Sequence, residues 1–122
     1  MNIALIGYGK MGKEIEQILL QRGHTVTLRS TSSTPFKAED LASTDVAIEF
    51  SEPQSAVDNI LKCFQAGVPI VVGTTGWYMR MPEVREACAQ MNGALFTASN
   101  FSIGVNILFK FNKEIARIMS DF

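Results

Sequence analysis

Short, uniformly apolar runs alternate along the chain with longer stretches in which apolar residues recur every three or four positions. That is the pattern of a parallel sheet covered by helices. Residues 3–6 form the first apolar run and predict a buried strand. Residues 11–21 read as a helix with Met11, Ile15, Ile18 and Leu19 on one face, closed by Arg22 and Gly23. Residues 25–29 predict a second strand, with Val26 and Leu28 pointing the same way. After a polar stretch, residues 36–42 can hold a short helical turn, and residues 45–50 predict a third, buried strand. Ser51 then reads as the cap of a helix that carries Pro53 in its first turn, shows Val57, Ile60, Leu61 and Phe64 as its apolar stripe, and ends at Gly67.

The second half repeats the alternation. Residues 68–72 predict a fourth strand, which Gly73-Thr74-Thr75-Gly76 breaks, and residues 82–91 predict a helix. A fifth strand over 94–97 leads through Ala98-Ser99-Asn100-Phe101 into a last helix over 103–120, where Leu108, Phe111, Ile115, Ile118 and Phe122 recur at near-heptad spacing. Five strands alternating with helices predict an α/β fold, a doubly wound Rossmann-type parallel sheet, and the expected strand order is 3-2-1-4-5. Ligands of such sheets bind beyond the carboxyl ends of the strands where the order reverses, here expected between strands one and four. The loops after Ile6, Phe50 and Val72 should converge there.

Composition narrows the classes. The chain has 122 residues, 47% of them hydrophobic and 19% charged, which suits one domain with one core. Eleven Lys and Arg against twelve Asp and Glu leave a formal charge of −1, without the basic excess that a nucleic-acid partner requires. The apolar start stops far short of the ~20 residues of a membrane span and lacks a basic leader region, so no membrane partner and a cytoplasmic location are expected. Cys63 and Cys88 lack metal-ligand spacing and read as reduced, buried thiols; no metal site is expected. His24, the sole histidine, reads as a surface turn residue.

The chemistry lies in the loops. Gly7-Tyr8-Gly9-Lys10-Met11-Gly12 is a full G-x-G-x-x-G directly after a strand and opening a helix. There the first glycine permits the tight turn, the second lets a diphosphate approach the backbone, and the third lets the helix pack closely. The helix start then offers free N–H groups and a positive dipole end to the phosphates. At the end of strand two, where a site selective for NAD carries an acid, this chain has Arg29-Ser30-Thr31-Ser32-Ser33 and no acid before Glu39. Arg29 can pair with a 2'-phosphate or stack on adenine, with Lys10 near enough to assist, which favours NADPH over NADH with dual use as the competing reading. Gly73, Thr74 and Thr75 offer amides and hydroxyls beside the switch point, and Asn100 can bond a carboxamide while Phe101 packs on a ring. Trp77 and Tyr78 read as packing residues.

Four blocks, Gly7 to Gly12, Val46-Ala47-Ile48-Glu49-Phe50-Ser51-Glu52-Pro53, Gly73 to Gly76 and Ser99-Asn100-Phe101-Ser102-Ile103-Gly104-Val105-Asn106, together resemble the N-terminal domain of the 4-hydroxy-tetrahydrodipicolinate (dihydrodipicolinate) reductase family. The last block is the most specific. The resemblance implies an NADH- or NADPH-dependent reductase that acts on a cyclic intermediate of the diaminopimelate route to lysine. It implies cofactor contacts at Gly7, Tyr8, Gly9, Lys10, Met11, Gly12, Arg29, Phe50, Ser51, Gly73, Thr74, Thr75, Ala98, Ser99, Asn100 and Phe101. Lys10 stands where many members carry Arg, and Glu49-Phe50-Ser51 where Asp-Phe-Thr is common. The family's histidine pair, lysine and Ser-Gly-Thr segment belong to a second, substrate-binding domain and have no counterpart in residues 1–122. The expectation is a dinucleotide-binding domain that binds cofactor without turning substrate over and carries no catalytic residue. Leu108, Phe109, Phe111, Ile115 and Phe122 should be exposed and favour a homo-oligomer. The alternatives are a nucleotide-sensing module without chemistry and the cofactor domain of another amino-acid dehydrogenase.

Overall fold

Each apolar run becomes a strand and each amphipathic stretch a helix in the computed structural model, which describes residues 1–122. In chain order these are β1 (Asn2–Ile6), α1 (Lys10–Gln21), β2 (Thr25–Ser30), β3 (Val46–Glu49), α2 (Pro53–Gln65), β4 (Ile70–Val72), α3 (Met81–Gln90), β5 (Leu95–Thr97) and α4 (Ile103–Met119). Two 3-10 turns, Ala38–Leu41 and Tyr78–Arg80, fill the longer connections. All four strand pairings are parallel.

The sheet is doubly wound, but its order is 2-1-3-4-5 and not the expected 3-2-1-4-5. Burial explains the difference. β3 is Val-Ala-Ile-Glu, with Ala47 and Glu49 fully buried, and a strand covered on both faces gains most in the middle of a sheet. β2 alternates Thr25, Thr27 and Arg29 with apolar residues, a composition suited to an edge. The connection between them crosses the sheet by burying Phe36 and Leu41 in the main core beside Ala4 and Ile6. The order therefore reverses between β1 and β3, not between strands one and four.

Two further expectations are corrected. Val26 and Leu28 do not point the same way, because Ile3 pairs with Val26 and Ala4 with Leu28, leaving Thr27 as a bulge. Thr27 turns its hydroxyl to the Ile3 carbonyl at 3.3 Å and the Thr44 hydroxyl at 2.9 Å. On α1 the buried face is Gly12, Glu16 and Leu19 with Ile15 at its side, whereas Met11 and Ile18 are half exposed. Close helix-to-strand approach at Gly12 rotates the helix and draws that stripe inward.

The core is lopsided. α2, α3 and the Phe36–Leu41 crossover cover one face, packing Val57, Ile60, Cys63, Phe64 and Val84 on Ile70 and Val72. On the other face α1 covers only Ile3, Leu5 and their neighbours, leaving Val71 half-buried and Phe96 exposed. No residue of α4 is buried; Leu108, Phe109, Phe111 and Ile115 stay between 54% and 63% exposed and Phe122 is 98% exposed, in line with the expected exposure of these five residues. No helix is long and apolar enough to cross a membrane.

Cys63 is fully buried, and burial, assisted by the nearby Glu49 carboxylate, pushes its thiol up to about 12. Cys88 is half-buried and its thiol donates to the Gly93 carbonyl at 3.2 Å. A thiol reagent at neutral pH should therefore label Cys88 in the native protein and Cys63 only on unfolding, because the thiolate is the reactive form. Peptide mapping after native and denatured labelling reads this directly.

Candidate functional site

Beyond Ile6 the chain must turn at once between two neighbouring strand ends. Gly7 does this with φ of +87°, and a side chain there would fall on the Phe50 carbonyl. Its N–H and that of Tyr8 both donate to the Ser30 carbonyl, at 3.0 and 2.8 Å, so the turn is fastened to the end of β2 on one side and pressed on the end of β3 on the other. A Cβ on Gly12 would lie 2.7 Å from the Gly7 carbonyl oxygen, which sets the close seat of α1. Gly9, the residue before α1, differs: nothing lies within 4 Å of where its side chain would be, and no side chain caps the helix start. The first N–H groups of α1 thus open onto free space at its positive dipole end.

That space is a cleft of about 540 Å³, lined by seventeen residues of which four are hydrophobic. Gly7, Tyr8 and Gly9 form one wall, Ser30, Thr31 and Ser32 a second, and Phe50, Ser51 and Glu52 a third. A neighbouring hollow of about 320 Å³ is lined by Met11, Pro53, Gly73, Thr74 and Thr75, and shares Phe50 and Ser51 with the cleft. The loops after β1, β3 and β4 therefore do converge, along one trough at the carboxyl ends of the strands.

The loop after β3 is held by buried polar groups. The Glu49 carboxylate, fully buried, accepts from the Ser51 N–H at 3.1 Å and from the Ser51 hydroxyl, and its Oε2 has no partner. The Ser51 N–H also donates to the Thr74 hydroxyl at 2.8 Å, and Asn59 Nδ2 donates to Ser51 Oγ at 3.3 Å. Ser51 was expected to cap α2, but the capping position is Glu52, which makes no side-chain cap. Competition from Glu49 and Thr74 takes Ser51 away from the helix. Thr74 is braced as well, since its carbonyl accepts from the buried Trp77 indole N–H at 2.8 Å. Thr75 is the exposed hydroxyl of that loop.

Several expected site residues stand apart from the trough walls. Lys10 is exposed at the start of α1, and Gly12 is packed beneath the turn. Ala98, Ser99 and Asn100 line neither hollow; the Asn100 side chain accepts from the Ser102 N–H at 2.8 Å in the turn that starts α4. Phe101 reaches the trough indirectly, its ring centre 6.2 Å from that of Phe50 and 5.8 Å from that of Phe96. Arg29 is beside the cleft but paired: its Nε donates to Glu16 Oε1 at 2.8 Å, its Nη2 donates to the same oxygen, and the Tyr8 hydroxyl donates to Oε2. Arg29 holds the Glu16 carboxyl below its usual range, with help from Tyr8, while Glu16 raises both Arg29 and Tyr8. His24 lies before β2, at the amino ends of the strands and away from the trough.

Sequence reading missed the wall contributed by α2, where Ser55, Asp58, Asn59 and Lys62 line the cleft. Their polar spacing opposite Val57, Ile60 and Phe64 was the available signal, and it is shared by any solvated helix face. It also missed Glu16, which stands on the buried face of α1.

Residues 1–101 match the family model described as dihydrodipicolinate reductase, N-terminus. Over 119 residues the chain is 42% identical to a 4-hydroxy-tetrahydrodipicolinate reductase of Christiangramia forsetii, covering 98% of this chain and 50% of that protein. The chain thus spans about half the length of that relative. Among solved structures, a Streptomyces aurantiacus imine reductase is similar at a TM-score of 0.64 and 19% identity, over 84% of this chain and 42% of its own. A crystal structure assigned as a homoserine dehydrogenase from Archaeoglobus fulgidus gives a TM-score of 0.61 and 16% identity, over 80% and 42% respectively. At these identities the two structures establish the fold alone.

Gly7 and Gly9 differ in what their missing side chains allow. Gly7→Ala should cost about 2 kcal/mol or more in urea unfolding, from the positive φ and the backbone collision. Gly9→Ala, built into open space, should stay within about 1 kcal/mol of the parent in the same measurement.

Proposed function

The chain belongs to the dihydrodipicolinate reductase family, matching its N-terminal domain, and from that premise we propose that the trough holds a reduced nicotinamide dinucleotide for the reduction of a cyclic dipicolinate precursor. The observation that carries this reading is the uncapped start of α1 opening onto free space at Gly9, where three strand-end loops meet. A diphosphate fits such a place without a dedicated cation, because backbone N–H groups and the helix dipole supply the attraction. Bound there, the dinucleotide supplies a hydride.

The chain's own residues bind and orient it. Gly7 to Gly12, with Tyr8 and Lys10, hold the diphosphate; Ser30, Thr31 and Ser32 meet the adenosine ribose, with Arg29 beside them. Phe50, Ser51 and Met11, with Gly73 to Thr75, enclose the nicotinamide end, and Phe101 backs the Phe50 ring. The Ala98 to Asn100 backbone leads toward the same end. Bracing of Ser51 by Glu49 and Thr74 lowers the cost of ordering that end on binding. We assign no acid or base of the reaction to these residues, since the one histidine lies at the opposite end of the sheet. NADPH is the favoured cofactor because no carboxylate stands at the end of β2, where one would repel a 2'-phosphate. On this proposal the protein works in lysine biosynthesis in the cytoplasm. The exposed α4 stripe pairs it with another copy, and its balanced charge fits a small-molecule dinucleotide and neither nucleic acid nor membrane as partner.

Titrating NADPH and NADH separately, by calorimetry or nucleotide fluorescence, should show both binding and NADPH more tightly. Arg29→Ala should weaken NADPH selectively by about 1 to 3 kcal/mol, as loss of a charged hydrogen bond does; equal losses for both would remove Arg29 from that role. Polypeptide 1–122 should bind cofactor yet show no substrate-dependent NADPH oxidation. Light scattering across a concentration series should show a mass above the monomer.

A further inference from the structure

Glu16 occupies a position that helical periodicity would give to an apolar side chain. It lies between Gly12 and Leu19 on the buried face of α1 and is only 9% exposed. A carboxylate so placed gains little stability from its ion pair, because desolvation offsets most of the attraction. Its partner is delivered by a local irregularity: the bulge at Thr27 reverses the alternation of β2, so that Leu28 joins the α2 side and Arg29 comes to the α1 side beside Glu16. Both nitrogens of one guanidinium edge, Nε and Nη2, go to Oε1, and the Tyr8 hydroxyl takes Oε2. Nη1 makes no hydrogen bond with the protein, the Arg29 side chain remains 44% exposed, and its guanidinium carbon stands 5.9 Å from the centre of the Tyr8 ring that lines the cleft.

We propose that Glu16 is a specificity-determining residue, an internal counter-charge on Arg29 that holds back selection for a 2'-phosphate and lets one site accept both NADPH and NADH. The proposal rests on the dinucleotide reading of the cleft. The missing acid at the end of β2 is supplied from α1 instead, on the far side of the arginine. In that position the carboxylate does not collide with a 2'-phosphate, as an acid at the strand end would. It subtracts from the attraction: a phosphate meeting the free edge of Arg29 also feels the negative charge behind it, one guanidinium width further away. With an effective dielectric of about 20, that more distant charge cancels a substantial share of the attraction. Arg29 is left oriented and partly neutralised, so phosphate recognition is present but weakened.

Glu16→Gln tests this, since the amide oxygen can still accept from Arg29 and the shape is kept while the charge is removed. In polypeptide 1–122, the ratio of NADH to NADPH dissociation constants should rise roughly three- to tenfold, through tighter NADPH binding with NADH nearly unchanged. The gain should shrink with added salt. Arg29→Ala should cost more NADPH affinity in the Glu16→Gln background than in the parent, and should abolish the gain. Glu16→Met, which removes the charge in a similar volume, should move the ratio the same way should the Gln variant fold poorly. An unchanged or falling ratio in folded variants overturns the proposal while leaving dinucleotide binding intact. Failure of the parent chain to bind either nucleotide overturns the functional reading and this proposal with it.

Discussion

The Ser30 carbonyl, receiving the N–H groups of both Gly7 and Tyr8, is the contact on which the rest of the structure depends. It ties the first turn to the end of β2 while the missing side chain of Gly7 lets the same turn lie on the Phe50 carbonyl at the end of β3. The carboxyl ends of the strands on either side of β1 are thereby held against one short loop. Only because that loop is tight does α1 start where its N–H groups face the cleft. Glu16, one turn beyond Gly12, comes within reach of Arg29 for the same reason.

Buried polar groups do the rest of the positioning. Glu49 and Thr74 hold Ser51 from two sides, and Trp77 holds Thr74 in turn. Each satisfies a donor that would be costly to bury alone. Glu49 Oε2 and Thr97 Oγ1 are the exceptions, buried polar atoms without a partner. The result is a trough whose β3 and β4 side is braced by hydrogen bonds and whose β2 side carries the Arg29–Glu16 pair. One face of the sheet is meanwhile left largely to α1, and α4 buries none of its residues. An isolated helix of this kind keeps its shape through its Ser102 cap and local pairs such as Arg117 with Glu114, not through a core.

Much of this was legible in the sequence because it is local. Apolar runs and helical periodicity marked all five strands and four helices to within a residue or two at each end. The glycine spacing after β1 marked the tight turn into α1, and the apolar repeat from Leu108 to Phe122 marked the last helix. These are properties of neighbouring residues: backbone conformation at a glycine, or the face on which a side chain falls, follows from positions a few residues apart.

What only the tertiary structure decided were relations between distant segments. Strand order turned on which of β2 and β3 gains more from burial on both faces, a comparison the pattern of either strand alone does not make. The bulge at Thr27 changed the direction of Arg29, and one inserted residue reverses every side chain beyond it, a shift that leaves no mark in composition. The α2 wall of the cleft and the pairing of Arg29 with Glu16 followed from those placements. The sequence by itself determined that a glycine turn leads straight from β1 into α1. Packing across the sheet determined which charges surround that turn, because electrostatic partners are set by distance in space and not along the chain.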